Sequence, residues 1–147
     1  MWRLLFPVLL LGLVLLFEPA TAQAAKRITL QNDTGYTASA VVVVQTNNGW
    51  RVHGWYRIAP YSYRTINFST AGGRQFGFYA YVPNTRLLWS GKNNDPTITV
   101  VNNAMNHDVR QAPYGNNQRR VKVRMVNGNS YRFYQAAQQQ QRQTGWW

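Results

Sequence analysis

Short runs of Val, Ile, Thr, Tyr, Phe and Trp, each cut after a few residues by Gly, Pro or Asn, fill this chain from Lys26 to Tyr134. No amphipathic helical period appears in that region. Such punctuation dictates strands joined by tight turns, because a helix needs ten or more residues to bury an apolar stripe. The candidate strands are Lys26 to Gln31, Thr37 to Val44, Trp50 to Ile58, Tyr63 to Phe68, Gln75 to Val82, Leu87 to Trp89 and Thr97 to Val101, then Arg119 to Val126 and Ser130 to Tyr134. The spacing predicts an all-β chain, a small antiparallel β-sandwich or barrel of about 7–9 short strands. The unbroken Val41-Val42-Val43-Val44 run predicts a strand buried on both faces. Asn102 to Asn117 has no clean period. Arg119 to Val126 alternates most clearly, with Val121, Val123 and Met125 on one face and Arg120, Lys122 and Arg124 on the other.

The ends differ from this middle. Residues 1–22 read as a cleaved secretory signal. Arg3 supplies a positive start, Leu4 to Phe17 is an apolar run, and Ala20-Thr21-Ala22 is a small-x-small cleavage site, with Ala22-Gln23-Ala24 close behind. That run is shorter than the roughly 20 residues a spanning helix needs, and Glu18-Pro19 ends it. A secreted or periplasmic location follows, with no transmembrane helix in the mature chain. Residues 23–134 form the expected single β-domain. Residues 135–147, with the Gln138 to Gln141 run and the terminal Trp146-Trp147 pair, read as a flexible tail.

Charge bounds the function. The chain holds 16 Lys and Arg against four Asp and Glu, no Cys, and a formal charge of +12. Arg3 and Glu18 leave together with the signal, so the mature chain keeps that charge. Its remaining acids are Asp33, Asp95 and Asp108. With no Glu after residue 22, no Cys and no spaced His pair, metal sites and paired-carboxylate catalysis lack their residues in the mature chain. His53 and His107 lie far apart, and no Gly-x-Ser-x-Gly elbow is present. The expectation is a non-enzymatic protein without cofactor or metal. Its partner would be an anionic polysaccharide, lipid or cell-wall polymer. Specific nucleic-acid recognition is not expected, while peripheral membrane contact remains open.

Two segments offer binding residues. In Trp50 to Ile58, strict alternation puts Arg51, His53, Trp55 and Arg57 on one side of the strand. Trp55 would then stack on a ring while Arg51 or Arg57 holds a charged group, or would pack against a second sheet. In the last pair of strands, a three-residue loop at Asn127-Gly128-Asn129 sets Met125 opposite Tyr131 and Arg124 opposite Arg132. That register predicts one solvent face carrying Arg120, Lys122, Arg124 and Arg132. Like charges placed opposite one another repel, and an anionic ligand would relieve them. Two alternatives stand beside this basic face. One is a carbohydrate-binding module that stacks sugars on Trp55, Trp89 or Tyr81; the other is a membrane-active toxin or inhibitor using the Trp146-Trp147 tail.

Several uncommon residues recur at characteristic spacing: Asn32-Asp33-Thr34, Trp50, Gly54-Trp55-Tyr56-Arg57-Ile58-Ala59-Pro60, Tyr79-Ala80-Tyr81 and Trp89-Ser90-Gly91. Over about Ile28 to Val101 this pattern resembles a bacterial exported family catalogued as a domain of unknown function, number ten thirty-six. Where many members carry Cys, this chain has Gln31 and Tyr63, so any disulfide of those relatives is lost. The resemblance implies a compact secreted β-domain, and it implies no activity, cofactor or catalytic residue.

Overall fold

A computed structural model describes residues 25–69, 71–103, 105–111 and 117–135. The expected signal and the Trp146-Trp147 tail lie outside the described residues. No helix occurs among the described residues, which form eleven strands. These are β1 (Lys26–Asn32), β2 (Ala38–Thr46), β3 (Gly49–Ile58), β4 (Ser62–Phe68), β5 (Ala71–Tyr81), β6 (Leu88–Trp89), β7 (Thr97–Val100), β8 (Met105–Asp108), β9 (Arg119–Lys122), β10 (Arg124–Asn127) and β11 (Ser130–Phe133).

The strands build an all-β sandwich rather than a closed barrel. A central sheet runs β10-β5-β2-β3-β8, with β6 paired to the end of β5. A three-stranded sheet, β11-β1-β4, covers one face, and the β7-β9 ribbon covers the other. Two cores result, separated by the central sheet. The first joins Val42, Val44, Phe76 and Phe78 to Ile28, Leu30, Ile66, Phe68 and Phe133. The second joins Val41, Val43, Val52 and Tyr79 to Ile98, Val100, Val121 and Val123. The four consecutive valines of β2 therefore alternate between two dry layers, and none is more than 4% exposed. Double burial explains why this strand needs no polar face.

Arg119 to Val126 keeps its expected alternation but not its continuity. The strand breaks at Val123: β9 pairs with β7, whereas β10 pairs with β5. Val121, Val123 and Met125 still point to the second core. Two glycines make room for the crossing. A Cβ on Gly91 would lie 2.6 Å from the Val123 carbonyl oxygen, and one on Gly77 would collide with the Val123 side chain. Val123 seals the seam by donating its N–H to Pro96 O at 2.8 Å.

The expected final hairpin does not form. β10 stays in the central sheet, while β11 adds to β1 in the covering sheet, and does so in parallel. Gly128 does take the left-handed conformation, φ 106°, but there the chain crosses between sheets; its N–H is held by Arg74 O at 2.7 Å. The crossing buries Phe133 among Phe78 and Trp89, and it avoids setting Arg124 opposite Arg132. A local hairpin would have set those two arginines directly opposite each other. The aperiodic stretch 102–117 also contains a strand, β8, with its ladder to β3. Met105 alone is buried in it, which is why no period showed. β8 and the break at Val123 raise the strand count above the expected range.

Asn32 explains the Asn-Asp-Thr turn. Its buried side-chain NH2 lies 2.7–3.0 Å from the carbonyls of Tyr36, Ile58 and Ala59, and its Oδ1 accepts from Thr34 N–H and Oγ1. One amide thus ties the β1–β2 turn to the β3–β4 turn and fixes Tyr36 beside the end of β3.

Candidate functional site

The site originates in a bulge of β3. Ala40 pairs with Tyr56 and Val42 with His53, so Gly54 and Trp55 together oppose Val41. One extra residue reverses the alternation downstream. Arg51 and His53 share the face of Val44 and Val42, toward the first core. Arg57 shares the face of Ser39, on the side of the second core, and Trp55 packs there too. The expected single row of Arg51, His53, Trp55 and Arg57 is therefore split between two faces. Alternation is blind to the bulge because Gly54 reads as an ordinary strand residue; in the structure its Cα approaches Val41 so closely that a Cβ would lie 3.1–3.2 Å from that residue.

Trp55 is half-buried. Its Nε1 donates to Val101 O at 2.7 Å, and its ring meets Tyr79 and Tyr81 edge-on at 6.1 and 5.5 Å. The Arg119 guanidinium sits over all three rings, 5.2 Å from Trp55, 5.8 Å from Tyr79 and 4.9 Å from Tyr81. Its Nε and Nη2 are buried without hydrogen-bond partners, so the ring faces are what hold this cation. Burial raises the Tyr79 phenol pKa, and the neighbouring Arg119 charge opposes that rise.

In front of this cluster lies a groove of about 620 Å³. Tyr36, Ser39, Trp55, Arg57, Tyr81 and Asn102 line it. Arg57 is exposed, and Tyr36 is 50% exposed. Among the described residues, no carboxylate lines the groove. All three Asp of the described residues are engaged elsewhere: Asp33 with Gln31 and Arg132, Asp95 with the Lys92 N–H, and Asp108 with Arg110. The groove thus sets aromatic rings, a hydroxyl, an amide and a cation around one opening.

The remaining predicted site residues lie apart. Arg120 and Lys122 face outward together from the β7-β9 ribbon, opposite Thr99 and Thr97, and Lys122 Nζ reaches Asn93 at 3.3 Å. Arg124 lies opposite Phe78 on the other face of the central sheet, where it donates to the Tyr131 hydroxyl and covers that ring. Arg132 points out from the covering sheet, bonded to Gln31 Oε1 at 3.1 Å and 3.6 Å from Asp33 Oδ2. The expected single basic face is therefore distributed over three surfaces, and Asp33, remote in sequence, relieves Arg132. Trp89 is buried at 3% exposure against Phe133, with Nε1 bonded to Tyr134 O. It is core, not a stacking platform.

His53 and His107 sit on neighbouring strands but on opposite faces, since His53 opposes Asn106 and His107 opposes Val52. Burial is the main cause that lowers both imidazole pKa values below 6.5. Asp108 is turned to Arg110, 3.0 Å away, which holds its carboxyl down to about 2. No group of three His, Asp or Glu suited to a metal ion occurs among the described residues.

Sequence reasoning missed Arg119, Tyr79 and Tyr36. Tyr79-Ala80-Tyr81 carries a usable signal, because two aromatics flanking a small residue in a strand share one face. Arg119 gives none, since it reads as the start of a solvated basic run. No known family model matches the chain, and no curated protein or solved structure is similar to it. The resemblance drawn above rests on the quoted residues alone.

Proposed function

We propose that this is an exported, non-enzymatic binding protein whose groove takes an anionic polysaccharide of the cell envelope or extracellular matrix. The observation that carries this reading is the placement of exposed Arg57 beside Tyr36, Trp55 and Tyr81 in a groove free of carboxylates. Sugar rings present C–H faces that pack on aromatic side chains, and a guanidinium pairs with a carboxylate or sulfate through parallel N–H donors. The net charge of +12 adds long-range attraction to a polyanion. The groove replaces the basic strand pair as the centre of binding. Arg120 and Lys122, on the ribbon, supply peripheral attraction of at most about 1 kcal/mol each near an anionic surface.

Retention of the purified protein on immobilised polyuronate, measured at low and high salt, tests the reading. Binding is expected at low salt and should weaken sharply at 1 M salt, where the Debye length shrinks to about 3 Å. Arg57→Ala and Tyr81→Ala should each reduce it more than the double change Arg120→Ala, Lys122→Ala. Equal retention on a neutral glucan at high salt would instead make the groove a neutral-sugar site. Loss of binding only with the ribbon double variant would return it to the surface charges.

A further inference from the structure

The β3 bulge that places Trp55 and Arg57 in the groove leaves Arg51 and His53 on the opposite side of the central sheet. There they line a second concavity of about 350 Å³, closed by the end of β4 and by β8. Its polar lining includes a guanidinium, two side-chain amides, an imidazole and the hydroxyls of Thr46, Tyr56 and Ser69. The Arg51 guanidinium is fixed by Asn106, through Nε and Nη2 to Oδ1 at 3.1 and 2.8 Å and through Nη2 to the backbone carbonyl at 3.2 Å. Those bonds do not use Nη1. They do occupy the Asn106 side-chain oxygen, leaving that amide its NH2 group. Asn67 is in the same state, because its Oδ1 accepts from Arg27 at 3.3 Å. Ser69 adds a hydroxyl, and His53, its ring tilted against Phe68 at 5.0 Å, adds an imidazole.

Among the described residues, no carboxylate lines this pocket. The charged and titratable groups around His53 are Arg51 and Tyr56 of its own strand, with His107 and Asp108 of β8; Arg64 of β4 lies over the Tyr56 ring. Asp108 opposes Arg51 in the strand pairing and feels its charge from the same face, but its carboxylate is held by Arg110, so the pocket keeps a net positive charge from Arg51. An orientated guanidinium, two amide NH2 groups, a hydroxyl and an imidazole form a donor set suited to several oxygens on one centre.

We propose that this pocket is a second binding site, one that takes an oxyanion, the sulfate or phosphate group of an ester, with Arg51 as its principal ligand. The anion makes protonation of His53 favourable, so binding strengthens as pH falls. Without an anion, burial, Arg51 and His107 disfavour that proton. One strand then serves two sites on opposite faces of the sheet.

The experiment follows the His53 and His107 imidazole resonances of the full-length protein while sodium sulfate replaces sodium chloride at constant ionic strength. His53 is expected to shift saturably and its titration midpoint to rise, while His107, on the other face, moves far less. Arg51→Gln should weaken sulfate by about tenfold or more, the loss of a charged hydrogen bond, and Arg57→Ala should leave it unchanged. In His53→Gln, sulfate still perturbs the Asn106 amide but with no dependence on pH between 5 and 7 (roughly the range in which a histidine titrates). If the two histidines shift alike, if the response is linear, or if Arg51→Gln binds as the unaltered protein does, the pocket is not an oxyanion site. Inorganic phosphate and a sulfated polysaccharide as competitors identify the source. Displacement of sulfate by the polymer, lost in Arg51→Gln, assigns an ester on a polymer; displacement by phosphate alone assigns the free ion.

Discussion

Asn32 is a buried polar residue that ties two turns of this fold together. Its amide satisfies three carbonyls from two turns, and its own oxygen receives Thr34. Removing one partner of a buried hydrogen bond leaves the other desolvated and unpaired, at about 1–3 kcal/mol. Asn32→Ala is therefore expected to lower unfolding free energy by about 2–3 kcal/mol, measured as a lower urea midpoint at unchanged slope. The same change frees Tyr36 and should weaken binding in the groove. His53 and His107 set the pH response at this scale. Both have pKa values depressed below 6.5 by folding, so the unfolded chain binds protons more readily than the folded one. Their contribution is complete above pH 6.5 and is lost as pH falls from 6.5 through the folded values. Melting temperature should thus decline between about pH 7 and pH 5, and the double change His53→Gln, His107→Gln should flatten that decline. Asp108, depressed from 3.8 to about 2, acts only lower, losing its contribution as pH falls through that window.

At the scale of the element, two irregularities do the positioning. The β3 bulge rotates Trp55 and Arg57 to the groove face, and the break at Val123 lets one length of chain serve β7 and β5 in turn. The break depends on glycines that leave room for Val123. Gly77→Ala places a methyl against the Val123 side chain and 3.0 Å from Met125 Sδ, an overpacking of about 1–3 kcal/mol. Val123→Ala in the same chain should recover part of that loss, because contacting residues couple. Gly128→Ala meets no atom within 4 Å; only its positive φ of 106°, at about 1–2 kcal/mol, opposes the change. Thermal denaturation should rank Gly77→Ala as the more damaging. The bulge was not legible in the sequence, since a reversal of alternation by one residue changes no residue type. The alternation of Val121, Val123 and Met125 was legible, because all three still enter the second core.

At the scale of the whole molecule, the first strand of the described residues pairs with the last of them. β1 and β11 pair residues about a hundred positions apart, Gln31 with Arg132 among them, and the chain has no Cys to assist. Closure entropy over such distances makes β-rich chains fold in milliseconds to seconds, and refolding followed by tryptophan fluorescence is expected in that range. Phe133 is the side chain that fastens β11, fully buried between Phe78 and Trp89. Phe133→Ala should remove about 3–5 kcal/mol. With total stabilities commonly about 5–15 kcal/mol, equilibrium denaturation should show a protein near its threshold of folding.

The all-β class, the position of most strands and the double burial of β2 were written in the sequence. Each follows from short-range chemistry: turn residues at intervals, β-branched runs, and the period of two that fixes which side chains share a face. The choice of partners for those strands was decided only in three dimensions. β10 and β11 are adjacent in the chain and look like a hairpin, yet each pairs with a distant strand, Phe133 of β11 is fully buried there, and their arginines escape direct opposition. That choice separates Arg124 from Arg132, and the bulge separates Arg51 from Arg57. The charge of the protein was therefore plain from its composition, whereas the surfaces that carry it depend on pairings among residues far apart, whose total burial no local pattern records.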